Sequence, residues 1–207
     1  MLGVARNTAL ALTLAGVALL SSNVAGAAEA SLAAFAATGA ETTVPYGWVD
    51  FCARYEGECP DDMRAAQPVE LTPQVMRRIR SVNAQVNHAI EPVSDMDHWG
   101  VIDQWDYPSD GKGDCEDFAL LKRRMLMKAG FPRQALLMTV VKEKNGDGHA
   151  LLMVRTTGGD LVLDNLADDV KLWRDAPYRF VKRQSEANPN IWVSIGAPTN
   201  APEYVSK

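Results

Sequence analysis

The stretch Ala135-Leu136-Leu137-Met138-Thr139-Val140-Val141-Lys142-Glu143-Lys144, followed by Asn145-Gly146-Asp147-Gly148 and then His149 to Thr157, decides the fold. Apolar, β-branched runs on both sides of an Asn-Gly turn read as two antiparallel strands. Gly158-Gly159-Asp160 turns the chain again, and Leu161 to Leu166 reads as a third strand. Tyr178 to Gln184 and Ile191 to Ile195 add two more. Upstream the period is helical. Thr72-Pro73 supplies an N-cap hydroxyl and a first-turn proline, and Val75, Ile79, Val82, Val86 and Ala89 form one apolar face. That helix should end near Ile90, because Pro92 disfavours helix in Glu91. A second helix spans about Cys115 to Ala129. Its expected buried stripe is Phe118, Leu121, Met125 and Leu126 or Ala129, with Lys122, Arg123 and Arg124 opposite. Gly130 and Pro132 stop it. Helices first and an antiparallel meander afterwards indicate an α+β domain, with N-terminal helices packed on an antiparallel sheet.

Before the first helix the chain changes character. Arg6 precedes an apolar run from Thr8 to Leu20, and Ala25-Gly26-Ala27 supplies small residues for cleavage, so residues 1–27 read as a signal peptide. A retained N-terminal anchor is the alternative. The run is short for a membrane span, and no later segment is apolar enough for one, which implies a soluble product, periplasmic or secreted. Residues 28–44, rich in Ala, Thr and Gly, read as a mobile lead-in, and 45–207 as one domain. From Pro45 to Pro60, Tyr46, Trp48, Phe51 and Tyr55 suggest a small packed cap. Export makes a disulfide between Cys52 and Cys59 plausible. The net charge of −5 and the lack of a long basic block argue against nucleic acid as a partner.

Pairing those cysteines leaves Cys115 as the odd thiol, in Gly113-Asp114-Cys115-Glu116-Asp117 at a helix start, where the dipole favours thiolate. Ser94 to Gly113 is a long loop that delivers the chain to it. His149 opens a strand and Asp164 lies on the next, which gives nucleophile, base and orienter in the order Cys, His, Asp. His88 and His98 have no comparable setting. The register is demanding: a two-residue turn at Gly158-Gly159 would set Asp164 opposite Met153, about 13 Å along the strand from His149 at ~3.3 Å per residue. A wider loop or a bulge is therefore expected. Oxyanion donors would be the Cys115 backbone N–H, with Trp105 or Gln104 as a second; plain loop packing is the simpler reading of Trp105. Asp114, Glu116 and Asp117 would raise the thiol pKa unless a cation offsets them. Oxygen-only ligands favour Ca²⁺ over zinc there.

Trp99-Gly100, Asp103-Gln104-Trp105, Pro108, the run from Gly113 to Ala119, Gly148-His149-Ala150 and Leu163-Asp164-Asn165 together resemble the bacterial transglutaminase-like cysteine proteinases, whose best understood branch is the LapG-type periplasmic proteases. The resemblance covers about Pro45 to Ile195. It implies a papain-like, transglutaminase-like α+β fold with Cys115, His149 and Asp164 as the triad. It also implies Ca²⁺ held by acidic residues at Asp114 and Glu116. The expected substrate is a large surface adhesin cut to control biofilm attachment, and the expected regulator is an inner-membrane cyclic-diguanylate receptor. A protein-glutamine amide transferase or deamidase, and a non-catalytic binding protein on the same fold, are the alternatives.

Overall fold

A computed structural model describes Gly3 and residues 34–196. The expected leader and its cleavage point lie outside the described residues. The central feature is a sheet of β1 (Thr38–Thr42), β4 (Leu136–Lys142), β5 (Gly148–Thr156), β6 (Gly159–Asp164), β7 (Ala167–Leu172), β8 (Arg179–Gln184) and β9 (Trp192–Ile195), in the order β1-β9-β8-β4-β5-β6-β7. Every neighbouring pair in it is antiparallel. Residues 38–42, read from sequence as lead-in, instead form the edge strand β1. Small and polar residues hide that strand from a pattern search, and its pairing partner, β9, lies at the other end of the chain. The strand β7 was also missed, because Asp168, Asp169 and Lys171 break any apolar alternation.

One face of the sheet carries the helices α1 (Tyr46–Arg54), α2 (Pro73–Ala89) and α4 (Cys115–Lys128). Ile79, Val82 and Val86 from α2 and Phe118, Leu120 and Leu126 from α4 meet Leu136, Met138, Val140, Leu152, Val154 and Leu163 from the strands. The alternate residues Leu137, Val141, Leu151, Met153 and Val162 form a second cluster with Phe180 and Ile195. This period-two division is what strands buried on both faces require. Thr72 caps α2 by accepting from the Val75 N–H at 3.2 Å, with Pro73 at the first position. Gly130 (φ 90°) ends α4 in the left-handed conformation that glycine adopts without a Cβ penalty.

A disulfide joins Cys52 and Cys59 and closes the loop beneath α1. Trp48, Phe51, Tyr55 and Tyr107 pack ring to ring there, and Trp105 contacts both Trp48 and Trp192. The three tryptophans are fully enclosed, and truncating such a residue costs ~3–5 kcal/mol. The face of α4 expected to be solvated is not. Lys122 and Arg123 are both buried, Arg123 lying over the Trp48 ring and 3.8 Å from Glu58. The α1 cap covers Arg123, whereas Lys122 lies beside Asp164 and Asp168 of the sheet; periodicity within α4 reports neither.

The 94–113 segment carries structure of its own. Ser94 caps a single turn, α3 (Asp95–His98), by accepting from the Asp97 N–H. The two-residue strands β2 (Glu91–Pro92) and β3 (Lys112–Gly113) pair in parallel and clip the segment's ends together. The chain therefore enters α4 from a fixed point. Among the described residues, no helix is long and apolar enough to cross a membrane.

Candidate active site

Cys115 is the first residue of α4, with Asp114 at the N-cap. Gly113 lets the chain pass this helix turn closely: a Cβ there would stand 2.6 Å from Asp117 Oδ2. The Cys115 sulfur is buried, donates to Glu116 Oε2 at 3.1 Å and accepts from the Ala150 backbone N–H at 3.3 Å. Helix start and strand start thus meet at the sulfur, one residue from His149.

His149 is buried, and its Nε2 donates to Asp164 Oδ1 at 3.0 Å. Neither a wide loop nor a bulge between β5 and β6 is needed for this. The ladder pairs Thr156 with Gly159 across a two-residue turn, Thr157-Gly158, and continues to Leu152 opposite Leu163. Asp164 then stands beyond Leu163 and reaches His149 diagonally, an arrangement long side chains span readily. The centre of the turn lies one residue earlier than the Gly158-Gly159 reading, which halves the expected offset. Gly159 (φ 125°) fits there for a second reason, since a Cβ would come within 2.7 Å of the Ala34 carbonyl.

Asp164 is fixed from several sides. Oδ1 also accepts from the Leu166 N–H at 3.1 Å, and Oδ2 accepts from the Tyr178 hydroxyl at 2.5 Å. Burial acts to raise its pKa, but the hydrogen bonds from His149 and Tyr178 outweigh it and hold the carboxyl below its ordinary range. The Tyr178 ring lies 5.3 Å from the imidazole, centroid to centroid. Its hydroxyl is pushed up by burial first and by Asp164 next, with Cys115 also contributing. Sequence reasoning placed Tyr178 only at a strand start; nothing in its surroundings signalled a contact with Asp164.

The thiol is pushed well above its usual pKa, by burial first and then by Glu116 and Asp114. The helix dipole does not win here. At ~0.3–1 kcal/mol for a terminal charge, it is small against desolvation plus neighbouring carboxylates. Those carboxylates are not a solvated helix cap either, since Asp114, Glu116 and Asp117 are all buried. Two residues missed from sequence join them. Oxygens of Asp95, Asp103 and Glu116 lie within 4.8 Å of one another, as do those of Asp95, Asp114 and Asp117. The β2–β3 clip folds α3 back onto α4 and brings Asp95 there, a relation no local spacing shows. Asp103, within the Asp103-Gln104-Trp105 run, was visible but was not assigned as a ligand.

Burial and then the Asp114 charge raise Glu116 well above the usual range, and the same causes push Asp117 up to about 9. The Glu116 Oε1 atom has no hydrogen-bond partner among the described residues. An all-oxygen donor set at this crowding suits a hard divalent cation such as Ca²⁺, which takes 6–8 oxygens. The donor set fits that group. The expected second oxyanion donors are engaged elsewhere. Trp105 gives its one indole proton to Asp103 Oδ1 at 3.2 Å, and the Gln104 amide donates to Asp106 Oδ2 at 2.8 Å. Trp105 is a packing residue, and of the named donors the Cys115 backbone N–H stays at the helix start.

The family model for the bacterial transglutaminase-like cysteine proteinases matches residues 38–200. The chain belongs to this family. It is a cysteine peptidase of transglutaminase-like fold, with the helices packed on an antiparallel sheet. Among solved structures, calcium-bound LapG of Legionella pneumophila is similar at 24% identity, covering 64% of this chain and 76% of that one, with a TM-score of 0.50. A second LapG structure from the same organism matches at 25% identity over 60% and 71% of the two chains, with a TM-score of 0.48. The EGTA-treated form gives 22%, 64%, 73% and 0.49. The first of these likenesses is one of fold. No curated protein matches the sequence.

Proposed function

We propose that this peptidase is a calcium-dependent endopeptidase of the periplasm, with Cys115 as nucleophile, His149 as base and Asp164 as orienter. The observation that carries this reading is the chain of contacts from Asp164 to His149 at 3.0 Å and from the neighbouring Ala150 N–H to the Cys115 sulfur at 3.3 Å. His149 uses Nε2 on Asp164, so Nδ1 is the ring nitrogen that takes the sulfur's proton. The sulfur adds to the scissile carbonyl carbon, and His149 returns the proton to the leaving amine. Water, deprotonated by the same imidazole, then releases the acyl group from the thioester and restores the thiol. Asp164 fixes the tautomer and stays ionised through its bonds from His149 and Tyr178.

Asp95, Asp103, Asp114, Glu116 and Asp117 would hold Ca²⁺, which supplies positive charge beside the thiolate when bound. The similar LapG is described in a calcium-bound form, and the buried carboxylates favour the same ion here. The leader-like start supports export, and the family resemblance supports a large surface adhesin as substrate and a cyclic-diguanylate receptor at the inner membrane as partner. The test is to incubate the purified chain with an adhesin fragment, with Ca²⁺ or with EGTA. New peptide termini that vanish in Cys115→Ala and fall in EGTA are expected. Turnover unchanged by Cys115→Ala would refute the assignment, and incorporation of a labelled amine without new termini would favour amide transfer.

A further inference from the structure

The turn from β6 to β7 begins at Asp164 and is gripped from the helix layer by two asparagines one turn apart on α2. Asn83 Nδ2 donates to the Ala167 carbonyl at 2.9 Å and to the Asp168 carbonyl at 3.0 Å. Asn87 Nδ2 donates to the Asp164 carbonyl at 2.9 Å and to Asp168 Oδ1 at 2.9 Å, with the Ala167 carbonyl at 3.3 Å. Asn83 is fully buried, whereas Asn87 is half-buried. Asparagine is a modest helix former, so two on one face call for another reason. Propensity and packing alone would favour Leu or Ala there.

The two amides differ in what they hold. Asn83 anchors the turn beyond the acid, and Asn87 alone of the pair touches the backbone of Asp164. Resting on the triad reading above, we propose that Asn87 is a positioning residue for the catalytic acid: its amide fixes the Asp164 backbone so that the carboxylate stays aimed at His149 Nε2. A single hydrogen bond to a buried carbonyl is worth ~0.5–1.5 kcal/mol to stability, but small misplacements at a catalytic group cost far more in rate. The charged and titratable groups facing this region are Lys122 from α4, Asp168 from β7 with its partner His88 from α2, His149 from β5 and Tyr178 ahead of β8. Asn87 is the neutral donor among them that contacts the Asp164 main chain directly.

The full chain labelled with ¹⁵N-histidine gives a direct readout, the imidazole N–H cross-peak of the His149–Asp164 hydrogen bond, assigned by its absence in His149→Ala. In Asn87→Ala this peak should broaden or vanish through faster exchange with water, and iodoacetamide should alkylate Cys115 about tenfold more slowly. In Asn83→Ala, which keeps the Asn87 contact, the peak should persist. Asn87→Leu, of similar volume but with neither donor nor charge, should behave as Asn87→Ala and serves if the alanine variant fails to fold. An intact peak and wild-type alkylation in a folded Asn87 variant would overturn the proposal, as would equal losses in Asn83→Ala and Asn87→Ala. The peak does not depend on turnover, so its outcome stands apart from the Cys115→Ala test of the triad.

Discussion

The Cys115 sulfur and Glu116 Oε2 are 3.1 Å apart and share a proton between adjacent residues. The proposed nucleophile is therefore tied directly to the carboxylate cluster, and anything that neutralises the cluster acts on the thiol. Ca²⁺ should lower the thiol pKa and speed alkylation of Cys115 by iodoacetamide at neutral pH by about tenfold or more, since each tenfold needs only ~1.4 kcal/mol. EGTA should reverse it. In Glu116→Gln the metal-free rate should rise while the response to Ca²⁺ shrinks; a metal-independent rate in the wild-type chain would contradict the coupling.

The same carboxyls set how stability varies with pH. Glu116 is raised and Asp117 is pushed up to about 9, by burial first and the Asp114 charge next. A carboxyl with a raised folded pKa binds more protons folded than unfolded. Its stabilising contribution is whole below about pH 4 and is lost as pH climbs towards 9. Bound Ca²⁺ substitutes for those protons. Millimolar Ca²⁺ should thus raise the melting temperature more at pH 8 than at pH 5, by scanning fluorimetry, and equal gains at both would exclude this cluster as the site.

Lys122 runs the opposite way. Burial lowers its pKa to about 7 against the pull of Asp164 and Asp168, so between pH 7 and about 10 the unfolded chain binds the extra proton. The penalty is full below pH 7 and fades as pH rises. Because burial outweighs the pull of Asp164 and Asp168, Lys122→Met should stabilise the fold, with the gain in melting temperature largest at pH 6 and nearly gone at pH 10. Destabilisation at pH 6 would show that the ammonium contributes more than its burial costs.

Gly113 links fold to site. In Gly113→Ala the new Cβ would meet Asp117 Oδ2 at 2.6 Å and Asp117 Cβ at 2.8 Å. Overpacking of this kind costs ~1–3 kcal/mol, and displacement of Asp117 should weaken Ca²⁺ binding as well. Calorimetric titration of Ca²⁺ into wild type and variant reads the second effect; unchanged affinity would remove Asp117 from the ligand set.

What could be read from the sequence follows the range of the interactions. The strands β4 and β5, the helix α2 with its Thr72 cap, and α4 from Cys115 onward are local patterns, and they stand within about two residues of where periodicity and turn residues put them. β6 begins two residues earlier than its apolar run. Cys115, His149 and Asp164 were nameable because their order along the chain carries meaning, as do the element starts at which Cys115 and His149 stand. Asp95, Asp103, Tyr178 and Asn87 were not assigned, because each joins the site through a contact between distant elements. The burial of Lys122 and Arg123 escaped for the same reason: the covering layer comes from elsewhere in the chain. The one geometric difficulty, the His149–Asp164 register, dissolved once the turn moved a single residue.

β1 hydrogen-bonds to β9, so the strand nearest the beginning of the described chain is completed by the one nearest its end. Such a pairing closes the longest loop the fold contains, and loop closure of that kind slows assembly. The outer edge of the sheet must therefore wait until β9 has been synthesised. Until then β8 presents bare peptide groups to whatever strand arrives first, which is the moment at which this molecule is most open to mispairing.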